Sequence, residues 1–147
     1  MTAEILVDTN VLVYAYDRSE LEKQSQAMDV LDRLLVTSKG VLSTQVLSEF
    51  FNTITRKLTV PLTLEQAHSR LEHYARFWPV LDVTPDVILE AVRGVREYAF
   101  NFWDAQIWAA AHLNGIGLVF SEDFNSGSTI EDVSFVNPFA VDFDFLV

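Results

Sequence analysis

Four acidic residues stand at positions where a cluster of carboxylates could form. Asp8 follows the apolar run at 3–7, Glu49 lies in a helical segment, Asp104 begins another helical segment and Asp123 follows a second apolar run. Taken singly, each has an ordinary explanation as a helix cap, a surface residue or a favourable charge at a helix start. Only their meeting in space would make them a functional site.

Carboxylates that lie together raise each other's pKa unless a cation lies among them. A hard divalent ion, Mg²⁺ or Mn²⁺, suits a site built from carboxylate oxygens. Such an ion activates water and stabilises charge on a phosphoryl oxygen, and two ions about 4 Å apart would act on both the attacking and the leaving oxygen. The chain has no cysteine and therefore no thiol nucleophile, so metal-assisted hydrolysis is the simplest chemistry available.

Alternating strand and helix patterns predict an α/β fold that would bring these acids together. We predict five strands, at 3–7, 41–43, 80–83, 117–120 and 134–136, and six helices, at 11–17, 19–36, 45–58, 63–77, 84–97 and 103–113. This order implies a parallel sheet covered by helices. Because the crossovers are right-handed, the carboxyl ends of the strands share one edge, and ligand sites lie outside that edge.

Helix boundaries are indicated by capping patterns. Ser19 with Glu22, and Thr63 with Gln66, have the spacing of capping boxes. Thr84 followed by Pro85 predicts a cap and a first-turn proline, and Gly40 is expected to close the second helix. The apolar face of that second helix is expected to contain Leu21, Met28, Leu31, Leu34 and Leu35.

Length and composition favour one domain, residues 1–147, in the cytoplasm. The 147 residues are 50% hydrophobic, which is enough to bury a core. The absence of cysteine excludes disulfides and zinc–thiolate sites. No apolar run is long enough to span a membrane, and the N-terminus does not have the pattern of a signal peptide.

The net charge of −11 argues for metal ions and a basic protein partner, and against a non-specific nucleic-acid binder. All ten Lys and Arg residues lie at or before Arg96, and the segment from Glu97 onward contains eight acids and no base. Arg56, Lys57, Arg93 and Arg96 are the best candidates for phosphate contacts. Their ordinary explanation, surface charge near helix ends, remains open.

The motifs resemble those of PIN-domain proteins, and specifically VapC-type toxin ribonucleases. The resemblance extends from residue 5 to residue 139 and rests on ILVDTNVLVY at 5–14, LSEF at 47–50, FWDA at 102–105, SEDF at 121–124 and VNPF at 136–139. It implies a three-layer α/β/α sandwich with four to five mostly parallel strands, Mg²⁺ or Mn²⁺, hydrolysis of RNA phosphodiester bonds and control by a cognate antitoxin.

By this resemblance the catalytic and metal-binding positions are Asp8, Glu49, Asp104 and Asp123, and the supporting polar positions are Thr9, Asn10 and Ser121. Glu122 competes with Asp123 as the fourth acid. Trp103 could stack on RNA bases, although core packing is the commoner role of tryptophan.

Two other functions remain as alternatives. A haloacid dehalogenase-type phosphatase also begins with a strand and an aspartate, but it needs a second aspartate where this chain has Asn10. A PIN scaffold without catalytic activity would serve only as an interaction module.

Two apolar segments suggest interaction surfaces. Residues 140–147 extend beyond the resemblance as a tail in which Val141, Phe143 and Phe145 alternate with acids, a pattern that predicts an edge strand. That strand would dock on its own sheet or pair with a second subunit, and we expect a homodimer. Leu12, Tyr14 and Tyr16 are expected either to line a groove for the apolar part of an antitoxin or to pack in the core.

Overall fold

The computed structural model describes residues 3–124 and 126–145 and contains a six-stranded sheet. The strands are β1 (Ile5–Val7), β2 (Gly40–Ser43), β3 (Val80–Leu81), β4 (Leu118–Phe120), β5 (Thr129–Ile130) and β6 (Val133–Val136). Their order is β3-β2-β1-β4-β6-β5, and all pairs are parallel except β5 with β6. The five predicted strands are confirmed. The sixth, β5, has only two residues and was not predicted.

Six helices flank this sheet and confirm the predicted fold class. They are α1 (Thr9–Tyr14), α2 (Leu21–Thr37), α3 (Thr44–Arg56), α4 (Leu64–Phe77), α5 (Pro85–Tyr98) and α6 (Phe102–Leu113). In the part of the chain that the structure describes, no helix is both long and apolar enough to cross a membrane.

The caps show which sequence signals decide the helix starts. Thr63 and Gln66 form the predicted capping box of α4, and Thr84 caps α5 ahead of Pro85. The predicted box at Ser19 and Glu22 is wrong, because Ser19 bonds to Asp17 and α2 begins after Glu20 without a side-chain cap.

The end of α2 and its buried face also differ from the prediction. The helix ends at Ser38 in the left-handed conformation, whereas Gly40 begins β2. Gly40 is needed for packing, because a Cβ there would overlap the Trp78 ring. The buried face contains Ala27, Val30, Leu31 and Leu34. The predicted Leu21, Met28 and Leu35 are exposed, so smaller residues than expected face the core.

Helix α6 is the most buried helix of the described chain, since every residue from Ala105 to Ala111 is buried. Trp108 is fully buried there and packs against α5 at Gly94, where a Cβ would lie 3.0 Å from the indole. This close approach fixes α6 and therefore the position of its first turn, which carries Asp104.

The C-terminal tail does not form the predicted edge strand in its described part, residues 140–145. Phe143 and Phe145 instead pack edge-on against Phe120 of β4, with ring centroids 5.5 and 5.8 Å away. These two phenylalanines therefore cover their own domain, whereas Val141 is exposed. Residues 146–147 lie outside the described part.

Candidate active site

The strand order reverses beside β1, and the first acid lies at that point. The chain builds β2 and β3 on one side of β1 and then returns to place β4 and β6 on the other side. The ends of β1 and β4 are in register at Val7 and Phe120, and the amide of Asp8 donates to the Phe120 carbonyl at 2.9 Å. In open α/β sheets, ligands bind in the crevice at such a reversal.

Asp8 is buried, and its carboxylate is held by hydrogen bonds to both oxygens. It caps α1, where Oδ1 accepts a hydrogen bond from the Thr9 amide at 2.7 Å. Oδ2 accepts a hydrogen bond from the hydroxyl of Ser121, a fully buried residue directly after β4, also at 2.7 Å. Thr9 contributes through its backbone, since its own Oγ1 is buried without a partner among the described residues.

Asn10 joins Asp8 to Asp123. Its Nδ2 lies 3.1 Å from Asp123 Oδ2, 3.3 Å from Ser121 Oγ and 3.5 Å from Asp8 Oδ2. Its Oδ1 accepts a hydrogen bond from the Glu122 amide at 3.2 Å, which fixes the loop after β4. The structure thus brings together Asp8, Asn10, Ser121 and Asp123.

Glu122 faces a different set of partners. Its carboxylate accepts a hydrogen bond from the Tyr14 hydroxyl at 2.6 Å and pairs with Lys23 at 2.7 Å. This pairing raises the pKa of the Lys23 ammonium. Of the two competing acids, Asp123 is the one linked to Asp8. Lys23 was not predicted, because it lies 99 residues from Glu122 in the sequence.

Glu49 and Asp104 lie on two helices that Gln45 connects. Gln45 Nε2 donates to Glu49 Oε1 at 2.7 Å and to the carbonyl of Trp103 at 3.1 Å. Asp104, in the first turn of α6, accepts a hydrogen bond from the Asn101 side chain at 2.6 Å. Asn101 and Gln45 were also missed, although their spacing of three and four residues before an acid is a recognisable helical pattern.

The four acids interact electrostatically. Burial raises the pKa of Asp8 to about 6, hydrogen bonds from Ser121 and Thr9 oppose this rise, and the charges of Asp123 and Glu49 add to it. Burial also raises the pKa of Asp104; Asn101 opposes that shift and the charge of Asp123 adds to it. Repulsion of this kind is relieved when a cation binds.

The family model for the PIN domain matches residues 5–127. The chain belongs to the PIN-domain family. Members of this family are typically nucleases and generally metal-dependent, and membership of it argues against the phosphatase alternative. No curated protein sequence matches the chain.

Solved structures with the same fold include VapC proteins. One is Mycobacterium tuberculosis VapC20, described as a toxin that cleaves the sarcin–ricin loop, at 22% identity and a TM-score of 0.63, covering 87% of this chain and 98% of that chain. Another is DNA-bound VapBC from Salmonella typhimurium, at 16% identity and a TM-score of 0.68, covering 93% and 99%. A third is a toxin–antitoxin complex from Klebsiella pneumoniae, at 17% identity and a TM-score of 0.65, covering 95% and 100%.

The donor atoms of this PIN domain fit a hard divalent ion in kind, because all of them are oxygens. Within residues 3–124 and 126–145, however, no three His, Asp or Glu side chains are positioned to hold an ion together. Glu49 and Asp104 are engaged with Gln45 and Asn101, and both are at least partly exposed. Binding of one ion by these acids would therefore require their side chains to rotate. The four acids already lie near enough to interact, because the charge of Glu49 acts on Asp8 and that of Asp123 acts on Asp104.

The four predicted phosphate-binding residues lie in two places. Arg56 and Lys57 end the helix that carries Glu49, are exposed, and form no ion pair with any described residue. Arg93 and Arg96 line a cavity near Asn114, at the end of α6 opposite Asp104 and about 15 Å from it along the helix.

The Arg93 guanidinium already binds three carboxylates. It pairs with Glu90, Glu97 and Glu131 at 2.8 Å each. Glu131 lies in the β5–β6 turn, so Arg93 connects α5 to the far edge of the sheet. A phosphate would have to compete with these partners, and a phosphate contact at Arg93 stays a prediction.

Proposed function

We propose that this PIN domain is an endoribonuclease dependent on Mg²⁺ or Mn²⁺ and acts as the toxin of a toxin–antitoxin pair. The observation that carries the proposal is the bonded group of Asp8, Asn10, Ser121 and Asp123 at the reversal of strand order. Glu49 and Asp104 complete the acidic surface around it. We expect the protein to act in the cytoplasm.

Each residue has a separate task in this proposal. Asp8, Glu49, Asp104 and Asp123 would hold the ion, which when bound supplies a Lewis acid and an activated water. Ser121 and the Thr9 amide hold Asp8 in place, and Asn10 orients Asp123. Glu49 and Asp104 turn toward the crevice from their bonds with Gln45 and Asn101. Arg56 and Lys57 attract the RNA backbone.

Cleavage of RNA by the purified protein tests the proposal. We expect activity with Mg²⁺ or Mn²⁺, none in chelator, and a loss of roughly a hundredfold or more in Asp8→Asn and Asp104→Asn. Asp142→Asn is the matched control, because Asp142 is an exposed acid of the tail. Cleavage that persists in chelator would reject the metal mechanism, and an inactive wild-type protein that still binds a partner would favour a scaffold.

A basic antitoxin is the partner that the charge of −11 favours. An Arg of such a partner could reach the carboxylates and replace the charge of the ion. Leu12 is fully buried in the core and cannot line a groove, whereas Tyr16 borders a cavity of about 400 Å³ that also contacts α4. We propose this cavity for the apolar part of the antitoxin. Inhibition that survives removal of every basic residue from the antitoxin tail would exclude charge replacement.

The homodimer remains a prediction. The packing of Phe143 and Phe145 on Phe120 means that the described part of the tail does not provide a free edge for pairing. Sedimentation at micromolar concentration measures the oligomeric state directly. Detection of monomer alone would refute the predicted homodimer.

A further inference from the structure

A groove opens beside Glu49 between the first turns of α3 and α6. Its volume is about 570 Å³, within the range of small-molecule sites in proteins. The side chains important here are Gln45, Glu49, Lys57, Trp103 and Gln106. Glu49 belongs both to this groove and to the acidic surface, so anything bound in the groove lies next to the proposed catalytic centre.

Trp103 leaves its indole open to this groove. Its exposed fraction is 62%, whereas Trp78 and Trp108 are 5% and 0% exposed. Phe102 contacts it edge-on, with ring centroids 5.2 Å apart. An exposed tryptophan beside a cavity offers a flat face for stacking, and nucleobases stack on such faces whatever their sequence.

Gln106 supplies a buried hydrogen-bonding group at the same place. The residue is only 6% exposed, and its Nε2 donates to Gln45 Oε1 at 3.2 Å. Its Oε1 accepts no hydrogen bond from any described residue and is not fully enclosed, so it can accept one from a molecule bound in the groove.

Lys57 gives the groove one positive charge. It forms no ion pair within residues 3–124 and 126–145, and it lies about two helical turns beyond Glu49. A stacking face, an unpaired acceptor and a cation together match the base and the phosphate of one nucleotide.

We propose that this groove binds one nucleotide of single-stranded RNA next to the bond that is cleaved. Its base stacks on Trp103 and donates an N–H to Gln106 Oε1, and its phosphate contacts Lys57. The inference rests on the proposed function for its substrate class and adds the subsite that selects the base. Trp103 and Gln106 then determine which base is preferred beside the cleavage position.

Binding of an RNA that cannot be cleaved tests this subsite apart from catalysis. The probes are labelled single-stranded 2′-O-methyl oligonucleotides that differ at one base, titrated in chelator and followed by anisotropy. We expect Trp103→Ala to weaken binding by roughly tenfold to a hundredfold, the loss expected for one stacked base. Trp103→Phe should retain most of the affinity. Phe77→Ala is the matched control, because Phe77 is 65% exposed at the end of α4.

Two further measurements sharpen the result. RNA should quench the fluorescence of the wild-type protein, because Trp103 is the one tryptophan of three that is open to a base. Gln106→Leu, checked for native folding by its melting temperature, should reduce the difference in affinity among the four bases, and an unchanged difference would contradict the role of Gln106.

The outcomes separate the two proposals. Equal affinity of Trp103→Ala and wild type would overturn the subsite even if the protein cleaves RNA. Binding that depends on Trp103, in a wild-type protein that does not cleave RNA, would support the subsite and reject the nuclease. Equal loss in Trp103→Ala and Phe77→Ala would also overturn the subsite, since it would show no specific role for this groove.

Discussion

The ionised form of Asp8 is disfavoured in the folded protein. Its carboxylate is buried at the sheet edge, where the charges of Asp123 and Glu49 disfavour ionisation. Hydrogen bonds from Ser121 and Thr9 recover only part of that cost, so its pKa stands at about 6. A folded-state pKa above the unfolded value means that ionising Asp8 destabilises the native state.

The stability of the metal-free protein should therefore depend on pH through Asp8. The folded state binds more protons than the unfolded state between the ordinary aspartate pKa of 3.8 and about 6, so stability falls as pH rises through this window. The Asp8→Asn variant lacks this fall. Its free energy of unfolding relative to wild type should rise by about 2 kcal/mol between pH 4 and pH 7.

Urea unfolding in chelator at several pH values measures this difference. Asp142→Asn, at an exposed tail position, serves as the control and should follow wild type. A difference between Asp8→Asn and wild type that stays constant from pH 4 to pH 7 would contradict the raised pKa.

Substitutions of the neighbouring acids Glu122 and Asp123 should have different effects on cleavage and stability. Asp123 is bonded to Asn10, whereas Glu122 is bonded to Lys23 and Tyr14. We expect Asp123→Asn to lower the cleavage rate by roughly tenfold or more and to change the melting temperature little. Glu122→Gln should lower the melting temperature and reduce cleavage less. The opposite pattern in rate and melting temperature would reassign the fourth acid to Glu122.

At the scale of elements, Arg93 connects three parts of the fold. It lies on α5, pairs with Glu131 in the β5–β6 turn, and its guanidinium carbon lies 5.3 Å from the Trp108 ring of α6. Hydrogen bonds from Arg93 and Tyr98 hold the pKa of Glu131 at about 2. A carboxyl group whose pKa is lowered by folding stabilises the native state at pH values above its unfolded-state pKa. This contribution from Glu131 is lost as the pH falls toward about 2.

Arg93→Ala should therefore lower the melting temperature at pH 7, because it removes the ion pairs with Glu90, Glu97 and Glu131. Arg93→Ala and Glu131→Gln should be less than additive when combined, because each removes the same ion pair. Arg76→Ala is the control, since Arg76 pairs only with Glu72 on an exposed face of α4 and should have little effect. Weaker RNA binding at an unchanged melting temperature would instead support the predicted phosphate contact at Arg93.

At the scale of the molecule, the negative charge has to be reconciled with an RNA substrate. Lys23, Arg33, Arg76 and Arg93 are neutralised by ion pairs. Arg56 and Lys57 are unpaired in the described part of the chain, as are Arg18, Lys39, Arg70 and Arg96. Arg56 and Lys57 lie on the helix that carries Glu49. A small local cation patch can guide RNA to one face while the rest of the surface repels it.

The double variant Arg56→Ala/Lys57→Ala should weaken RNA binding and reduce the slope of log affinity against log salt by about one to two, as expected for losing two phosphate contacts. Affinities of the uncleavable probe at several salt concentrations give this slope. Arg33→Ala, whose residue pairs with Asp29 on α2, is the matched control. An unchanged slope in the double variant would show that Arg56 and Lys57 are surface charge only.

Local sequence patterns were enough to predict five of the strands and the six helices, whereas the roles of the four acids remain a prediction. Alternation of apolar runs with capped helical segments suffices for this, as at Thr63 with Gln66 and at Thr84 with Pro85, because such signals act over a few residues. Two predictions from local patterns were wrong. Ser19 bonds to Asp17 instead of capping a helix, and Gly40 makes room for Trp78 instead of ending one.

The hydrogen bonds that hold the acids, and the side chains around them, could not be predicted from local sequence patterns. Asn10 and Ser121 are 111 residues apart, and their bond exists because β4 returns to lie beside β1. The partners of Glu122 and the open face of Trp103 depend in the same way on elements distant in the chain. Hydrogen bonds and burial depend on distances between residues in space. Those distances follow from the order of the strands in the sheet, which local sequence patterns do not specify.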